Sequence, residues 1–262
     1  MHRPTWVAAC GAATLLVTLP AQAHGQFHWQ GHLAAGKRLE IKGVNGDIEA
    51  GPASGDQVDV TATKHARESD TGSVEIKVVP FEGGVAICAV YPTPRHAHEA
   101  NDCTPGRGGQ SSTDHNDVVV DFTIRVPAGV ELSARTVNGH VEADGLGANV
   151  EATTVNGRIT LSTTGRTEAT TVNGSIVAAL GRADWSGDLE FRTVNGGITL
   201  TLPPTLSAEV EAQTVNGDIT SDFPLLISGR IGPRRLNGTI GNGGRRLGLQ
   251  TVNGAIRLRK ST

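Results

Sequence analysis

The side chains with the most chemical potential crowd into one stretch. His96, His98 and His115 share it with Glu99, Asp102, Asp114 and Asp117. Imidazole and carboxylate together suit Zn²⁺. Their spacing matches no structural zinc pattern, however, and the stretch reads as a solvated polar loop, so no metal is expected. Asp47 and Asp218 each follow an Asn-Gly pair and raise the question of calcium. Calcium-binding β-rolls repeat an aspartate in every turn. Here the equivalent position holds Asp, His, Arg, Ser, Gly, Asp, Thr and Ala in different copies. That variability describes a side chain facing solvent with no repeated function. No GxSxG, HExxH, P-loop or paired-carboxylate motif stands out. The expectation is a chain with no catalytic residue and no cofactor.

The remaining reactive groups are cysteines, and their meaning depends on compartment. Arg3 is followed by an almost wholly apolar run from Trp6 to Leu19, then Ala21-Gln22-Ala23. A short positive region, an apolar core too short to span a bilayer and a small-x-small site make an export signal, cut after Ala23. Cys10 sits too early in that core to be a lipoprotein acceptor. The mature chain retains Cys88 and Cys103, with 14 residues between them. An even cysteine count in an oxidising space reads as a disulfide. Closing a loop of that size stabilises by about 3 kcal/mol in the chain-entropy model.

Without the signal, Lys and Arg number 22 against 26 Asp and Glu, a net charge of −4. A nucleic-acid partner calls for a basic excess that is missing, and anionic lipid calls for a polybasic patch that is also missing. No later segment is apolar enough to span a membrane. The expected location is periplasmic or secreted.

One hexapeptide dominates the rest. Thr136-Val137-Asn138-Gly139-His140-Val141 returns as 154–159, 171–176, 193–198, 214–219 and 251–256. Its turn residues are thus Asn156-Gly157, Asn173-Gly174, Asn195-Gly196, Asn216-Gly217 and Asn253-Gly254. Asn237-Gly238 belongs to a degenerate copy and Asn45-Gly46 to an early outlier. From Asn138 onward the asparagines are 18, 17, 22, 21, 21 and 16 residues apart. A period near 20 is the mark of a solenoid whose repeats bury their faces on one another.

Residues on both sides of Asn-Gly alternate with period two, as in Val150–Val155 and Arg158–Leu161, which predicts strands with one buried face. Asn-Gly tolerates positive φ and so makes a tight bend, across which Val155 and Ile159 can point to the same side. Two arrangements fit. In a parallel solenoid each period is a coil and the asparagines stack in an amide ladder. In a meander each Asn-Gly is a hairpin turn. The near-identity of the hexapeptide favours the solenoid, because stacking like on like rewards identity. The threonines before each Val-Asn-Gly read as residues that fit a half-exposed strand, their unequal spacing arguing against a lattice match to ice. The stretches 181–187 and 202–205 are loops leaving the coil. Arg257-Leu258-Arg259-Lys260 places charge where an open sheet edge would need blunting.

Residues 24–130 hold strands without a clean period, including 38–42, 57–61, 74–78, 85–90 and 118–126. They are expected to form an N-terminal β cap and first coils, ahead of an array over 131–262 in one continuous domain. Between Tyr91 and Asp117 runs a long loop tethered at Cys103; such loops are functional or disordered.

The Thr-Val-Asn-Gly-x-Ile repeats, the approach Phe122-Thr123-Ile124-Arg125-Val126-Pro127-Ala128-Gly129-Val130 and the segment Ile87-Cys88-Ala89-Val90-Tyr91-Pro92 resemble a bacterial family of exported β-strand-repeat proteins. Its members are described as "putative adhesin" domains of unknown function. The resemblance covers nearly all of the mature chain and implies adhesion or a cell-envelope role, with no catalytic residues to carry over. A surface-displayed adhesin would call for a sorting signal or membrane anchor, and neither is visible.

The expected fold is therefore an all-β solenoid, and the expected function is non-catalytic: binding an envelope protein or glycan through extended faces, or self-associating as a structural module. The alternative is a carbohydrate-active enzyme on the same scaffold, which requires a cluster of single-copy acids on one coil face. Exported through a general secretory route, the chain is expected to begin at His24. Intact-mass measurement checks this, and retention of Met1 overturns the signal assignment.

Overall fold

The computed structural model describes residues 26–107, 112–185, 187–227 and 234–262. The export signal, its cut site and Cys10 lie outside the described residues. Among the described residues the regular elements are all strands, apart from a three-residue 3₁₀ turn at Thr71–Ser73. The fold is all-β and solenoid-like: two facing sheets, of 10 and 11 strands, joined strand by strand at the Asn-Gly corners.

Each Thr-Val-Asn-Gly unit links one strand of each sheet. In the Asn156 coil the leading strand is Val150–Thr153 and the trailing strand Ile159–Thr163. The same plan holds around Asn45, Asn138, Asn173, Asn195, Asn216 and Asn253, whose turns bridge in parallel, one to the next. The strands before the turns form the leading sheet and those after it the trailing sheet. Within the array neighbours run parallel and in register, for example Ile159 opposite Ile176 and Ala152 opposite Ala169. The hairpin alternative therefore does not describe these turns.

Register turns the repeat into columns. Ile48, Val141, Ile159, Ile176, Ile198, Ile256 and Ile219 lie side by side across the trailing sheet. All but the last are buried. Opposite them, Ile41, Ala134, Ala152, Ala169, Phe191, Leu249 and Ala212 form a leading-sheet column. A core of small aliphatic side chains needs few aromatics, which fits their scarcity.

Three expectations about the turn are corrected. Val155 is 37% exposed while Ile159 is fully buried, so they do not share a side. The threonines are buried rather than half-exposed, at 1–5% in every full repeat. Each donates its hydroxyl to a glycine carbonyl of the adjacent coil: Thr154 to Gly139 at 2.9 Å, Thr171 to Gly157 at 3.0 Å, Thr193 to Gly174 at 2.8 Å. A buried neutral hydrogen bond of this kind contributes about 1 kcal/mol. Finally, positive φ is not what the glycines supply. Among the repeat turns only Gly46 adopts it, at 125°. The others are required by contact: a Cβ on Gly157 would sit 1.9 Å from the Gly139 carbonyl oxygen, and one on Gly174 1.8 Å from that of Gly157.

The order of coils in space is not their order in sequence. The last coil, around Asn253, is inserted between the Asn195 and Asn216 coils, its strands Arg245–Gln250 and Ile256–Lys260 paired on both sides. Arg257–Lys260 therefore blunts no edge. The first coil, around Asn45, is likewise inserted, between the Asn138 coil and a coil formed by Gly84–Val90 and Val119–Val126. Antiparallel strands close the stack. Gln26–His32 and Gln57–His65 flank the trailing sheet, and Glu75–Phe81 flanks the leading sheet. At the far end Arg235–Ile240 pairs antiparallel with Ala208–Gln213. That last pairing corrects the degenerate repeat, since Asn237 and Gly238 lie within a strand and make no turn. Of the two stretches read as loops, 181–187 returns Trp185 to the core, and Leu202 is a buried strand end.

Gly157→Ala is expected to cost about 3 kcal/mol, at the upper end for overpacking, because the contact is with backbone that cannot give way. Gly55→Ala, which meets nothing within 4 Å, should leave stability within about 0.5 kcal/mol. Urea unfolding of both variants checks the contrast; equal effects would overturn the contact argument.

Candidate functional site

Two surfaces carry side chains in patterns that a partner could read. The first is the Thr-Val-Asn-Gly corner. An amide ladder runs its length: each asparagine donates Nδ2–H to Oδ1 of the next coil at 2.7–2.9 Å, from Asn216 through Asn253, Asn195, Asn173, Asn156 and Asn138 to Asn45. Asn45 in turn donates to the Val118 carbonyl. A carbonyl only accepts, so this contact fixes the direction of the whole row. Beside the ladder, Val155, Val172, Val194, Val252 and Val215 stand 37–47% exposed, one per coil.

An open groove of about 680 Å³ runs along the corner, lined by residues that include His140, Glu142, Arg158, Thr160 and Ser175. The variable position after Asn-Gly has a role at this end of the stack that the sequence did not disclose. The Asp121 carboxylate accepts the backbone N–H of Asp47, Asp47 that of His140, and His140 Nδ1 that of Arg158, at 2.7–2.9 Å. Asp47 and Asp218 belong to the coils at the two extremes of the asparagine ladder, with five coils between them.

The second surface is the outer face of the leading sheet. Glu40, Ser133, Glu151, Glu168, Glu190, Gly248 and Glu211 form one row across it. The acids of the array are matched by arginines. Arg135 meets Glu151 at 2.8 Å, Arg246 meets Glu211 at 2.6 Å, Arg166 pairs with Glu168 and Arg192 with Glu190. Repetition and pairing set this row apart from the single-copy acid cluster that a glycosidase would need. Its signal was available in sequence, because each glutamate stands five residues before a turn asparagine.

The loop after Tyr91 lies against this face. Cys88 and Cys103 are joined as a disulfide with Cα atoms 5.7 Å apart. Lys42 donates to the carbonyls of Thr104 and Gly106, and Glu40 accepts the Gly106 N–H at 2.7 Å. Burial pushes the Lys42 amine below its ordinary pKa, with Glu40 pulling the other way. Arg107 then reaches Glu151 and Glu168 at 3.4 and 3.5 Å. Asn101 holds the loop together, donating to the carbonyls of Tyr91, Pro92 and Ser112 and accepting the Ser112 N–H. Tyr91 donates to the Val118 carbonyl at 2.7 Å, and burial raises its phenol to about 12.

The three loop histidines are not drawn together. His96 and His98 are exposed, and His115 contacts its neighbour Asp114. Among the described residues no three His, Cys, Asp or Glu side chains converge as a metal site. Asp117 is used structurally: its carboxylate accepts the backbone N–H groups of Arg67, Glu68 and Ser69 at 2.8–3.1 Å. Hydrogen bonding from Ser69 and these neighbours holds it well below the usual carboxylate range.

The parallel stack, with an asparagine at the turn of seven of its coils, defines a β-solenoid-like repeat protein. The chain belongs to the Toastrack DUF4097 family, whose profile matches residues 7–259. No curated protein matches it. Among solved structures it is similar to a "putative cell adhesion protein" from Clostridium sporogenes ATCC 15579, at 10% identity over 93% of this chain and 100% of that one, with a TM-score of 0.48. It is also similar to a "putative adhesin" from Bacteroides fragilis NCTC 9343, at 10% identity over 90% and 98%, with a TM-score of 0.33. Among the described residues no helix is long and apolar enough to cross a membrane.

Because the folded-state pKa of Asp117 is depressed, its contribution is present above the ordinary carboxylate pKa and is lost as pH falls through the folded value. Asp117→Asn should lower the melting temperature at neutral pH, and the gap to the parent should close as pH drops below about 4. A gap independent of pH, measured by thermal unfolding, would overturn this role.

Proposed function

We propose that the mature protein, residues 24–262, is a non-catalytic binding module of the cell envelope or extracellular space, and that the Thr-Val-Asn-Gly corner is where a partner engages it. In this reading residues 24–130 supply the closing strands, the first coils and the disulfide-tethered loop, and residues 131–262 carry the array. The observation behind it is the row of exposed valines beside the asparagine ladder. Asn side chains spend their polar atoms on one another along the axis. The corner therefore offers apolar side chains at about 4.8 Å intervals over several coils, flanked by the groove with His140 and Arg158. An elongated surface of this kind is how stacked repeats present binding sites. The leading-sheet acids support no competing enzymatic reading, since arginines of the same face neutralise them.

Immobilised residues 24–262, incubated with solubilised envelope from the source organism, are expected to retain a specific protein or glycan identified by mass spectrometry. Val172→Asp with Val194→Asp should abolish that retention while the melting temperature stays close to that of the parent, because both side chains are exposed. Retention that is unaffected by the double substitution would move the site off the corner. The absence of any specific partner would overturn the binding reading.

A further inference from the structure

The outer faces of the two sheets treat charge differently. On the leading sheet, acids and arginines alternate and pair within the face. On the trailing sheet they are segregated over the five strands from Val141–Leu146 to Ile256–Lys260; beyond the acidic strand, Glu49 and Arg125 line one hollow with Glu142 and Asp144. The outward residues of the Val141–Leu146 strand are Glu142 and Asp144, both exposed. Four strands away, the outward residues of Ile256–Lys260 are Arg257 and Arg259, also exposed. Among the described residues these four side chains make no ion pair, in contrast to Glu151, Glu168, Glu190 and Glu211. At about 4.8 Å per strand the two clusters are about 19 Å apart, roughly two Debye lengths at physiological salt, so they do not neutralise one another. Between them lies a flat, uncharged surface: Thr160 and Thr199 on either side of Val177, and Thr201 beside Ala179.

The arrangement has a centre. The strand Ile176–Leu180 lies two strands from the acidic pair and two from the basic pair. Its outward residues are Val177, 40% exposed, and Ala179. Register also matches along the strand. Glu142 shares its row with Thr160, Val177, Thr199 and Arg257. We propose that this face packs against the same face of a second copy of the chain, about a two-fold axis lying along Ile176–Leu180. Glu142 and Asp144 of each copy then meet Arg257 and Arg259 of the other.

The charge pattern selects this geometry. A two-fold axis along the strands keeps strand direction and reverses strand order, which brings acid onto base twice. An axis across the strands keeps strand order and would set acid on acid and base on base, which is costly. The axis passes through Val177, which meets its own copy, as an isologous interface requires. Aligned sheet packing of this kind seats apolar and small side chains from two faces about 10 Å apart. The area is modest. Five strands by five residues cover a footprint of about 400 Å² per copy, half of the roughly 800 Å² typical of a stable complex. The association is therefore weak, sensitive to salt and dependent on the four charges. It leaves the valine edge of the corner and the disulfide-tethered loop outside the contact.

Sedimentation equilibrium on residues 24–262 tests the arrangement. At low salt a monomer–dimer equilibrium is expected, weakening as salt is added. Arg257→Glu with Arg259→Glu should raise the dissociation constant about tenfold or more, and so should Glu142→Arg with Asp144→Arg. The chain carrying all four reversals should dimerise like the parent. Circular dichroism confirms that each variant is folded. A monomer at millimolar concentration and low salt overturns the proposal. So does a dimer indifferent to either reversal, or a quadruple variant that stays monomeric. Glu142 also lines the corner groove, so the Arg257 and Arg259 reversals are the arm that leaves the corner intact, and the corner's own test is retention of an envelope partner.

Discussion

Everything in this molecule depends on how closely one Asn-Gly turn can sit on the next. The glycine α-carbon of each coil rests against the glycine carbonyl of its neighbour, with room for a hydrogen and no room for a methyl group. That contact sets the coil spacing at the corner. Once it is set, the asparagine amides fall within hydrogen-bonding distance, the threonine hydroxyls reach the neighbouring glycine carbonyls, and Val137 and its equivalents accept the next asparagine N–H at 2.7–2.8 Å. Three sets of polar groups are satisfied along the same axis, and none needs a side chain from outside the repeat. A buried hydroxyl without such a carbonyl would be destabilising, so threonine before the valine and glycine after the asparagine are linked choices.

A solenoid with its chain ends on its outermost coils would fray from both ends, because a terminal coil has one neighbour. Here the two coils nearest the chain ends, around Asn45 and Asn253, are each held between two others. The outermost coils are formed by internal stretches of chain, flanked by antiparallel strands of which the outermost on the trailing sheet is Gln26–His32. Opening either sequence-terminal coil breaks parallel ladders on both sides at once. The loop from Tyr91 belongs to the same logic. It stands in place of the Asn-Gly corner in the coil formed by Gly84–Val90 and Val119–Val126, where Tyr91 donates to the carbonyls of Val118 and Asn45.

Much of this was legible in the sequence because it is local and repeated. Period-two alternation located the strands, and identity of the hexapeptide pointed to stacking. What was not legible is what depends on contacts between distant coils. Asn253 follows Asn237 in the chain, and nothing local says that its coil slips in beside Asn195. The degenerate copy at Asn237 shows the converse. Its Asn-Gly pair is present, but its preceding residue is Leu236 and a threonine is missing two places before Asn237, where Arg235 stands. Asn45 turns with Gly43 at that place, so the missing hydroxyl alone does not decide the outcome; at Asn237 the antiparallel pairing with Ala208–Gln213 carries the segment on as a strand. Glycine was correctly singled out but for its torsional freedom, whereas the structure uses its lack of a Cβ. The arginine–glutamate lattice was missed because the repeat was aligned on its turn and not on the strand leading into it.

The two outer faces show how a repeat can diverge without losing its fold. Outward positions take no part in the stack, so the columns that fix the core leave them free to vary. On the leading sheet that freedom has produced a face neutral over short distances, to which exposed ion pairs add little stability, at most about 1 kcal/mol each. On the five trailing-sheet strands from Val141–Leu146 to Ile256–Lys260 the same freedom has left acids on the first, bases on the last and small neutral side chains between. Segregated charge lowers the stability of nothing inside the stack, since the clusters are screened from each other, but it gives the face a direction. A surface with a direction can be complementary to its own copy in one orientation and repelled in another, which a locally paired surface cannot.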